Sequence, residues 1–213
     1  MLKPACPLCN CLIVNVFHQD KKREYFCCSE CQLVFVPPQQ QLSLTEEKAI
    51  YDLHENNPTD PGYRRFLSRI LIPLLENIPN NASGLDYGCG PTPLLAQLLS
   101  DAGHRMQVFD PFYADHPEVL NQCFDFITCT EVAEHFRQPG TEFKRLFSLL
   151  KPGGYLAIMT KRVIDAEAFS GWHYKNDPTH ICFFSEASLK WLAKQYNCHV
   201  TFILNDIAIF KIL

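Results

Sequence analysis

The chain has 213 residues, 47% of them hydrophobic and 20% charged, which is enough for one globular domain and a small second module. Its net charge of −4 at pH 7 argues against a general attraction to nucleic acid or to anionic membranes, although a local basic patch is compatible with it. No apolar run reaches the roughly 18 residues of a membrane span, and the first residues lack a signal-peptide core. We therefore expect a cytoplasmic protein without a membrane partner.

Cysteines are concentrated at the N-terminus, where six of the eleven precede Gln32. Two Cys-x-x-Cys pairs stand 18 residues apart, and this spacing predicts a structural zinc site with the ligands Cys6, Cys9, Cys28 and Cys31. Cys11 and Cys27 are competing ligands that break the two-residue spacing. The ion would fold a segment too small for a core of its own, and a role of that segment in binding a partner or substrate stays open.

Short β-like runs accompany these cysteines at residues 12–17, 25–26 and 33–36. The charged run Lys21-Lys22-Arg23 falls at the turn after the first of them, where charged side chains are usually solvated. Pro37 begins a linker rich in proline and glutamine. We therefore divide the chain into a small β module with its linker at residues 1–45 and a second domain at residues 46–213.

Strands and helices alternate in the second domain. The first helix is predicted at 63–78, with Asp60 as its cap and Pro61 in its first turn. The later predicted helices are 93–102, 141–150 and 185–196. The predicted strands are 84–87, 106–110, 124–130, 155–160, 199–204 and 207–212. This alternation predicts an α/β fold with a doubly wound, mostly parallel sheet, closed by an antiparallel hairpin of the last two strands.

A glycine turn follows the first of these strands. Gly88 and Gly90 lie where the strand passes into a helix, and Asp110 ends the next strand 22 residues after Gly88. Glycines there let the backbone approach a ligand closely, and an acid at that distance can accept both hydroxyls of a ribose. Enzymes that bind dinucleotides share this pattern, but here Pro93 replaces their third glycine and Asp86 directly precedes the turn, where it can meet a cationic group.

Four segments in order carry a family resemblance: LDYGCG at 85–90, VFDP at 108–111, FDFITCTEVAEHF at 124–136 and LLKPGGYL at 149–156. Over residues 61–213 the chain resembles the class I S-adenosylmethionine-dependent methyltransferases, specifically the group similar to ubiquinone-biosynthesis O-methyltransferases. The resemblance implies a seven-stranded Rossmann-like sheet, and the short interval between Asp110 and Phe124 implies that its third strand is short or missing. The N-terminal module resembles the zinc ribbons that precede many of these enzymes.

The resemblance also implies which residues bind S-adenosylmethionine. Gly88 and Gly90 would contact its methionine portion, and Asp110 would contact its ribose. Thr130 would contact it from the end of the strand at 124–130, which is the fourth strand of the family's sheet. Arg64 or Arg65 would reach its carboxylate. No residue is assigned to the adenine.

Two segments offer acceptor-side groups. The segment 131–135 follows the fourth strand, and the segment 172–180 follows the fifth and holds two histidines, an aspartate and the aromatic residues Trp172 and Tyr174. Since histidine titrates near neutrality, we expect His180, oriented by Asp177, to act as the base, with His135 second. The competing interpretation is that these residues only brace or cap loops and that the aromatic residues pack a lid.

The leading hypothesis is methyl transfer from S-adenosylmethionine to a small-molecule acceptor, with O-, N- or C-methylation left open. One alternative is an RNA methyltransferase that uses the zinc ribbon to bind its substrate, and another is a non-catalytic module that binds S-adenosylmethionine. Residues 1–45 contain four basic and three acidic side chains, and the rest of the chain is acidic, so neither part forms a basic cradle for RNA. The pattern does not predict the oligomeric state.

Overall fold

The computed structural model describes residues 4–53 and 57–213. An antiparallel sheet near the N-terminus contains β1 (Val14–Gln19), β2 (Glu24–Cys28) and β3 (Val34–Phe35). The first strand begins two residues later than expected, because the turn that holds the first cysteine pair extends further and is closed by the Cys6 amide, which donates to the Cys11 carbonyl at 2.9 Å. A fourth strand, β8 (Cys182–Phe183), pairs with β3 and comes from the second part of the chain.

The larger sheet contains β4 (Ser83–Tyr87), β5 (Arg105–Phe109), β6 (Phe124–Thr130), β7 (Leu150–Met159), β9 (Cys198–Ile203) and β10 (Ile207–Ile212). Its strand order is β5-β4-β6-β7-β10-β9. Strands β5, β4, β6 and β7 are parallel, and β10 runs antiparallel to both of its neighbours. This confirms the predicted sheet and its closing hairpin. The interval between β5 and β6 contains a short 3-10 helix, Pro117–Asn121, in place of the third strand.

Helices cover the sheet. They are α1 (Leu44–Tyr51), α2 (Pro61–Leu75), α3 (Leu94–Asp101), α4 (Pro139–Ser148), α5 (Ala166–Ser170) and α6 (Glu186–Gln195). Helix α2 starts where predicted, because the Asp60 carboxylate accepts from the Gly62 amide at 2.8 Å. Helix α4 ends at Ser148 because β7 already begins at Leu150, five residues before the predicted strand. Among the described residues, no helix is long and apolar enough to cross a membrane.

The N-terminal segment and the second domain share one apolar core. Buried Leu8, Val36, Phe143 and Phe183 belong to the same cluster, although they come from both sides of the sequence division near residue 45. At Gly140 in α4 the two parts come so close that an added Cβ would lie 2.4 Å from the Leu8 carbonyl oxygen. The β3–β8 pairing and this shared core therefore fix the N-terminal segment on the larger sheet.

Candidate functional site

A cavity of about 1010 Å³ opens at the carboxyl ends of the parallel strands. This size is ordinary for a site that binds small molecules, and this edge is where open α/β sheets bind ligands. Helix α1 covers part of the opening and contributes Leu44, Glu47 and Tyr51 to the lining. Arg137, in the loop after β6, donates a hydrogen bond to the Glu47 carboxylate and so ties α1 to this loop, while Tyr51 of the same helix donates to the other Glu47 oxygen.

The glycine turn after β4 forms one wall of the cavity. Gly88 has φ of 77°, and a Cβ there would lie 2.4 Å from the Val132 side chain, so neither the conformation nor the space suits a larger residue. Gly90 has φ of 65°, but no atom lies within 4 Å of the position of its missing Cβ. Because Gly90 also lines the cavity, its backbone is open to a ligand that packs against it.

Asp110 is held rigidly beside this turn. Its Oδ2 accepts from the Gly90 amide at 3.0 Å, and its Oδ1 accepts from the amides of Phe112 and Tyr113 at 2.8 and 3.1 Å. The side chain lines the cavity, and a carboxylate has about four lone-pair positions, so the three amides leave about one position for a ligand hydroxyl. The structure therefore brings Asp110 to Gly88 and Gly90, as the sequence predicts, with a geometry that suits a ribose.

Asp86 lies at the cavity with only 4% of its surface exposed. Burial raises its pKa to about 6, although the Thr128 hydroxyl donates to it at 2.7 Å and favours the charged form. At neutral pH the group is thus a buried anion without a cationic partner beside it in the described part of the chain. Such a group suits a ligand that carries a positive charge.

Two buried polar atoms at the end of β6 have no hydrogen-bond partner among the described residues. Thr130 Oγ1 and Glu131 Oε1 are buried and make no hydrogen bond within residues 4–53 and 57–213, and both residues line the cavity. Burial, together with the charge of Glu134, raises the pKa of Glu131 to about 9. The sequence assigned Thr130 to the cofactor but assigned no individual role to Glu131, whose only signal was its place directly after the strand. These orphaned atoms fit a polar ligand.

His135 and His180 meet in the cavity, with their ring centroids 4.8 Å apart. His180 Nδ1 lies 2.8 Å from the Tyr174 carbonyl oxygen, and His135 Nδ1 lies 3.0 Å from that of Thr179. Since a carbonyl oxygen only accepts, each neutral ring must donate from Nδ1 and carry its basic lone pair on Nε2. Burial lowers the pKa of His180, which favours that neutral form at pH 7.

Asp177 does not orient His180 in the way expected. Its Oδ1 accepts from the amide and hydroxyl of Thr179 at 2.9 and 2.6 Å, and its Oδ2 lies 3.8 Å from His180 Nε2. The Tyr174 carbonyl, not this carboxylate, is the group that sets the tautomer of His180. Asp177 is close enough to Nε2 to favour a positive charge on the ring.

Two further expectations need correction. Arg64 and Arg65 do not line the cavity, since helix α2 turns Tyr63 and Phe66 toward it, and Arg64 Nε donates to the Pro58 carbonyl at 2.8 Å. Trp172 does not line it either and packs on Phe169 and Phe183, whereas Tyr174 does. Of the two aromatic residues predicted in segment 172–180, only Tyr174 thus lines the cavity.

Glu134 is a functional candidate that the sequence did not single out. It is completely buried, accepts a hydrogen bond from the Tyr174 hydroxyl, and its Oε2 has no partner among the described residues. Glu134, His135 and His180 place potential ligand atoms within 4.8 Å of one another. Two imidazoles and a carboxylate are also a donor set for a divalent cation, so this corner of the cavity supports proton transfer or metal binding.

The four predicted zinc ligands converge away from this cavity. Cys6 Sγ lies 3.5 Å from Cys31 Sγ, Cys9 Sγ lies 3.5 Å from Cys28 Sγ, and all four sulfurs lie within 4.8 Å of one another. A tetrahedral zinc ion with bonds of about 2.3 Å separates its sulfurs by about 3.8 Å, so the donor set fits this ion. The competing residues Cys11 and Cys27 do not belong to the group.

Comparison with known proteins agrees with this geometry. Residues 60–201 match a family described as "Methyltransferase domain". The chain belongs to this methyltransferase family. The resemblance to class I S-adenosylmethionine-dependent methyltransferases is thereby confirmed.

Relatives and solved structures extend the comparison. The chain is 30% identical over 78 residues to a ubiquinone biosynthesis O-methyltransferase of Vibrio atlanticus and 27% identical over 78 residues to one of Yersinia pestis, in each case over 37% of this chain. It spans about a third of the length of these curated relatives, 33% and 32%.

Its fold is similar to a Burkholderia thailandensis 1,6-didemethyltoxoflavin-N1-methyltransferase, with a TM-score of 0.52, 18% identity and coverage of 86% of this chain and 96% of the other. It is also similar to an S-adenosylmethionine-dependent methyltransferase from Archaeoglobus fulgidus, with a TM-score of 0.51, 20% identity and coverage of 65% and 70%. These similarities concern the fold.

The raised pKa of Asp86 predicts a dependence of stability on pH. A carboxyl with a pKa of about 6 when folded and 3.8 when unfolded binds more protons in the folded state between these values, so its contribution to stability is lost as pH rises through about 6. We therefore compare the free energy of unfolding of the ligand-free protein with that of Asp86→Asn at each pH. The difference, unmutated protein minus variant, should fall by about 2 kcal/mol between pH 4 and pH 7. Urea unfolding at a series of pH values measures this, and a difference that does not change with pH would contradict it.

Proposed function

We propose that the chain transfers the methyl group of S-adenosylmethionine to a small-molecule acceptor whose oxygen or nitrogen must lose a proton. The observation that carries this proposal is the placement of two walls of one cavity: the glycine turn with Asp110 on one side, and the paired imidazoles of His135 and His180 on the other. When bound, the cofactor supplies an activated methyl group on a sulfonium, and the sulfur keeps the electron pair of the broken bond.

In this proposal the cofactor lies along the carboxyl ends of β4, β5 and β6. Asp110 accepts a hydrogen bond from the ribose, and the glycine turn of Gly88 and Gly90, whose backbone is open at Gly90, packs against the methionine portion. Asp86 and Thr130 complete the polar end of the site, since the buried Asp86 carboxylate favours a positively charged ligand. The family membership and the unpartnered Thr130 hydroxyl support this orientation.

On the acceptor side we assign the base to His180, with His135 as the second candidate. The Nδ1–H of His180 is engaged by the Tyr174 carbonyl, so Nε2 is the atom that would accept the proton of the acceptor. Glu134 and Asp177 would stabilise the imidazolium, because both carboxylates counteract the effect of burial on the pKa of this ring. Tyr174 then presents its ring beside the acceptor.

A small acceptor is favoured over RNA. Helix α1 covers part of the cavity opening, and His135, Asp177 and His180 line the cavity and do not lie on an open basic surface. The name shared by the curated relatives, ubiquinone biosynthesis O-methyltransferase, also points to oxygen on a small molecule. A module that only binds S-adenosylmethionine is disfavoured by the paired imidazoles of His135 and His180, which cofactor binding alone does not need.

We further propose that Cys6, Cys9, Cys28 and Cys31 hold one structural zinc ion. Burial raises the pKa of Cys9 to about 12, so the Cys9 thiol becomes a thiolate ligand only when a cation compensates its charge. Four protein ligands leave no open position for chemistry, which makes the role of the ion structural. The intracellular location expected from the sequence would keep such thiols reduced.

The cofactor assignment predicts a defined loss of affinity in one variant. Asp110→Ala removes the acceptor for the ribose hydroxyls, and we expect binding of S-adenosylhomocysteine to weaken by at least about 1 kcal/mol, since hydrogen bonds to charged groups contribute about 1.5–3. Titration calorimetry measures the effect, and Asp115→Ala, in the exposed loop that follows, serves as the control. Unchanged affinity in the Asp110 variant would remove Asp110 from the ribose site.

The zinc assignment predicts the metal content of matched cysteine variants. We expect about one zinc per chain in the purified protein, retained in Cys27→Ser and lost in Cys28→Ser, because only the second replaces a thiol of the converging group. Elemental analysis of both variants measures this, and the opposite pattern would transfer the ligand role to Cys27. A second metal equivalent that survives in Cys28→Ser would instead indicate a cation held by Glu134, His135 and His180.

A further inference from the structure

Arg23 is buried, although the sequence placed it in a solvated turn. Only 8% of its surface is exposed. Its guanidinium donates to four backbone carbonyl oxygens of one loop: those of Lys175, Asp177 at 3.0 Å, Pro178 at 3.2 Å and His180 at 3.0 Å. The loop lies more than 150 residues away in sequence, so the tip of the β1–β2 hairpin is docked on the second domain.

Two side chains reinforce this docking. Asp20 accepts from the Arg23 amide at 3.0 Å, which shapes the hairpin turn, and also from Lys175 Nζ at 2.9 Å. Lys175 has only 5% of its surface exposed, and Tyr25 in β2 places its hydroxyl 3.3 Å from the Lys175 carbonyl oxygen. The hairpin therefore binds both the main chain and a buried cation of the loop.

The same loop sets the state of both histidines. Its carbonyl groups fall into two sets: those of Lys175, Asp177, Pro178 and His180 face Arg23, and those of Tyr174 and Thr179 face the imidazole Nδ1 atoms of His180 and His135. A peptide plane that rotates to release Arg23 also moves its neighbours. The contacts of Arg23 thus constrain the two carbonyls that hold Nε2 as the basic atom.

We propose that Arg23 is a positioning residue. Through it, the N-terminal segment that contains the four converging cysteines holds His135 and His180 in the tautomer that methyl transfer requires. This inference rests on the proposed function for its purpose, but the contacts themselves do not depend on any ligand. Arginine suits the task because its planar guanidinium offers five donors in a fixed fork. Lysine offers a compact ammonium and cannot reach four separate carbonyls in that geometry.

The test compares two matched arginine-to-lysine variants of the full chain. Arg23→Lys keeps the positive charge and loses the planar arrangement of five guanidinium donors. Arg162→Lys makes the same change where a guanidinium holds the carbonyls of Leu204 and Ile207, in the β9–β10 hairpin. In Arg23→Lys we expect hydrogen exchange of residues 175–181 to accelerate roughly tenfold or more, with β6 and β7 unchanged. Arg162→Lys should leave residues 175–181 as they are.

Nitrogen NMR of the histidine rings reports the tautomer directly. In the unmutated protein we expect His135 and His180 to carry their proton on Nδ1 at neutral pH, and in Arg23→Lys we expect a mixture of tautomers. Binding of S-adenosylhomocysteine should change less than twofold, because Arg23 does not line the cavity.

Each result decides the inference. Unchanged hydrogen exchange together with an unchanged Nδ1–H in Arg23→Lys would overturn the inference. A mixture of tautomers in the unmutated protein would overturn it as well, and that measurement does not depend on whether a variant folds. A loss of cofactor binding in Arg23→Lys together with global unfolding would make Arg23 merely structural. Failure of the proposed function would appear separately, as absence of cofactor binding by the unmutated protein with both ring signals intact.

Discussion

The pairing of β3 with β8 is the contact on which the site depends. The pairing is only two residues long, Val34 with Phe183 and Phe35 with Cys182, but β8 begins two residues after His180. The Val36 amide extends it by donating to the Ile181 carbonyl at 2.9 Å. Because a two-stranded ladder of this length is not stable alone, it needs the buried aromatic cluster around Phe183 and the folded N-terminal segment. The acceptor side of the cavity is therefore built on a sheet that the larger domain does not form by itself.

Electrostatics explain why the cavity suits a cationic cofactor. Asp86, Glu131 and Glu134 are acids at or near its wall, and burial raises the pKa of each. Asp86, with a pKa of about 6, is charged at neutral pH, and burying that charge lowers the stability of the ligand-free protein there. A sulfonium or ammonium group placed beside it would offset this cost. The site thus gives up some stability in exchange for selectivity toward a positively charged ligand, a balance that is common at functional sites.

Local patterns allowed much of the fold and one half of the site to be predicted. Gly88, Gly90 and Asp110 are found together because parallel strands end at one edge, and the four cysteines meet because each pair lies on one tight turn. On the acceptor side the sequence predicted His180, Asp177 and His135, which all line the cavity, but it did not predict the distant contacts that hold them. Arg23 looked like a solvated charge, yet four carbonyl oxygens more than 150 residues away accept hydrogen bonds from it. The contacts of Glu134 and of the Tyr174 carbonyl likewise depend on the pairing of β8 with β3, and no spacing in the sequence predicts that pairing.

The most direct test of the proposed chemistry is a transfer assay with S-adenosylmethionine labelled in its methyl group, offered with a fractionated cell extract as the source of acceptors. We expect the unmutated protein to place label in the small-molecule fraction. His180→Ala should lose roughly 100-fold in that transfer, the usual scale for a general base, while it binds S-adenosylhomocysteine as tightly as the unmutated protein. Label in the RNA fraction, or undiminished transfer by His180→Ala, would contradict the assignment of acceptor class or of base.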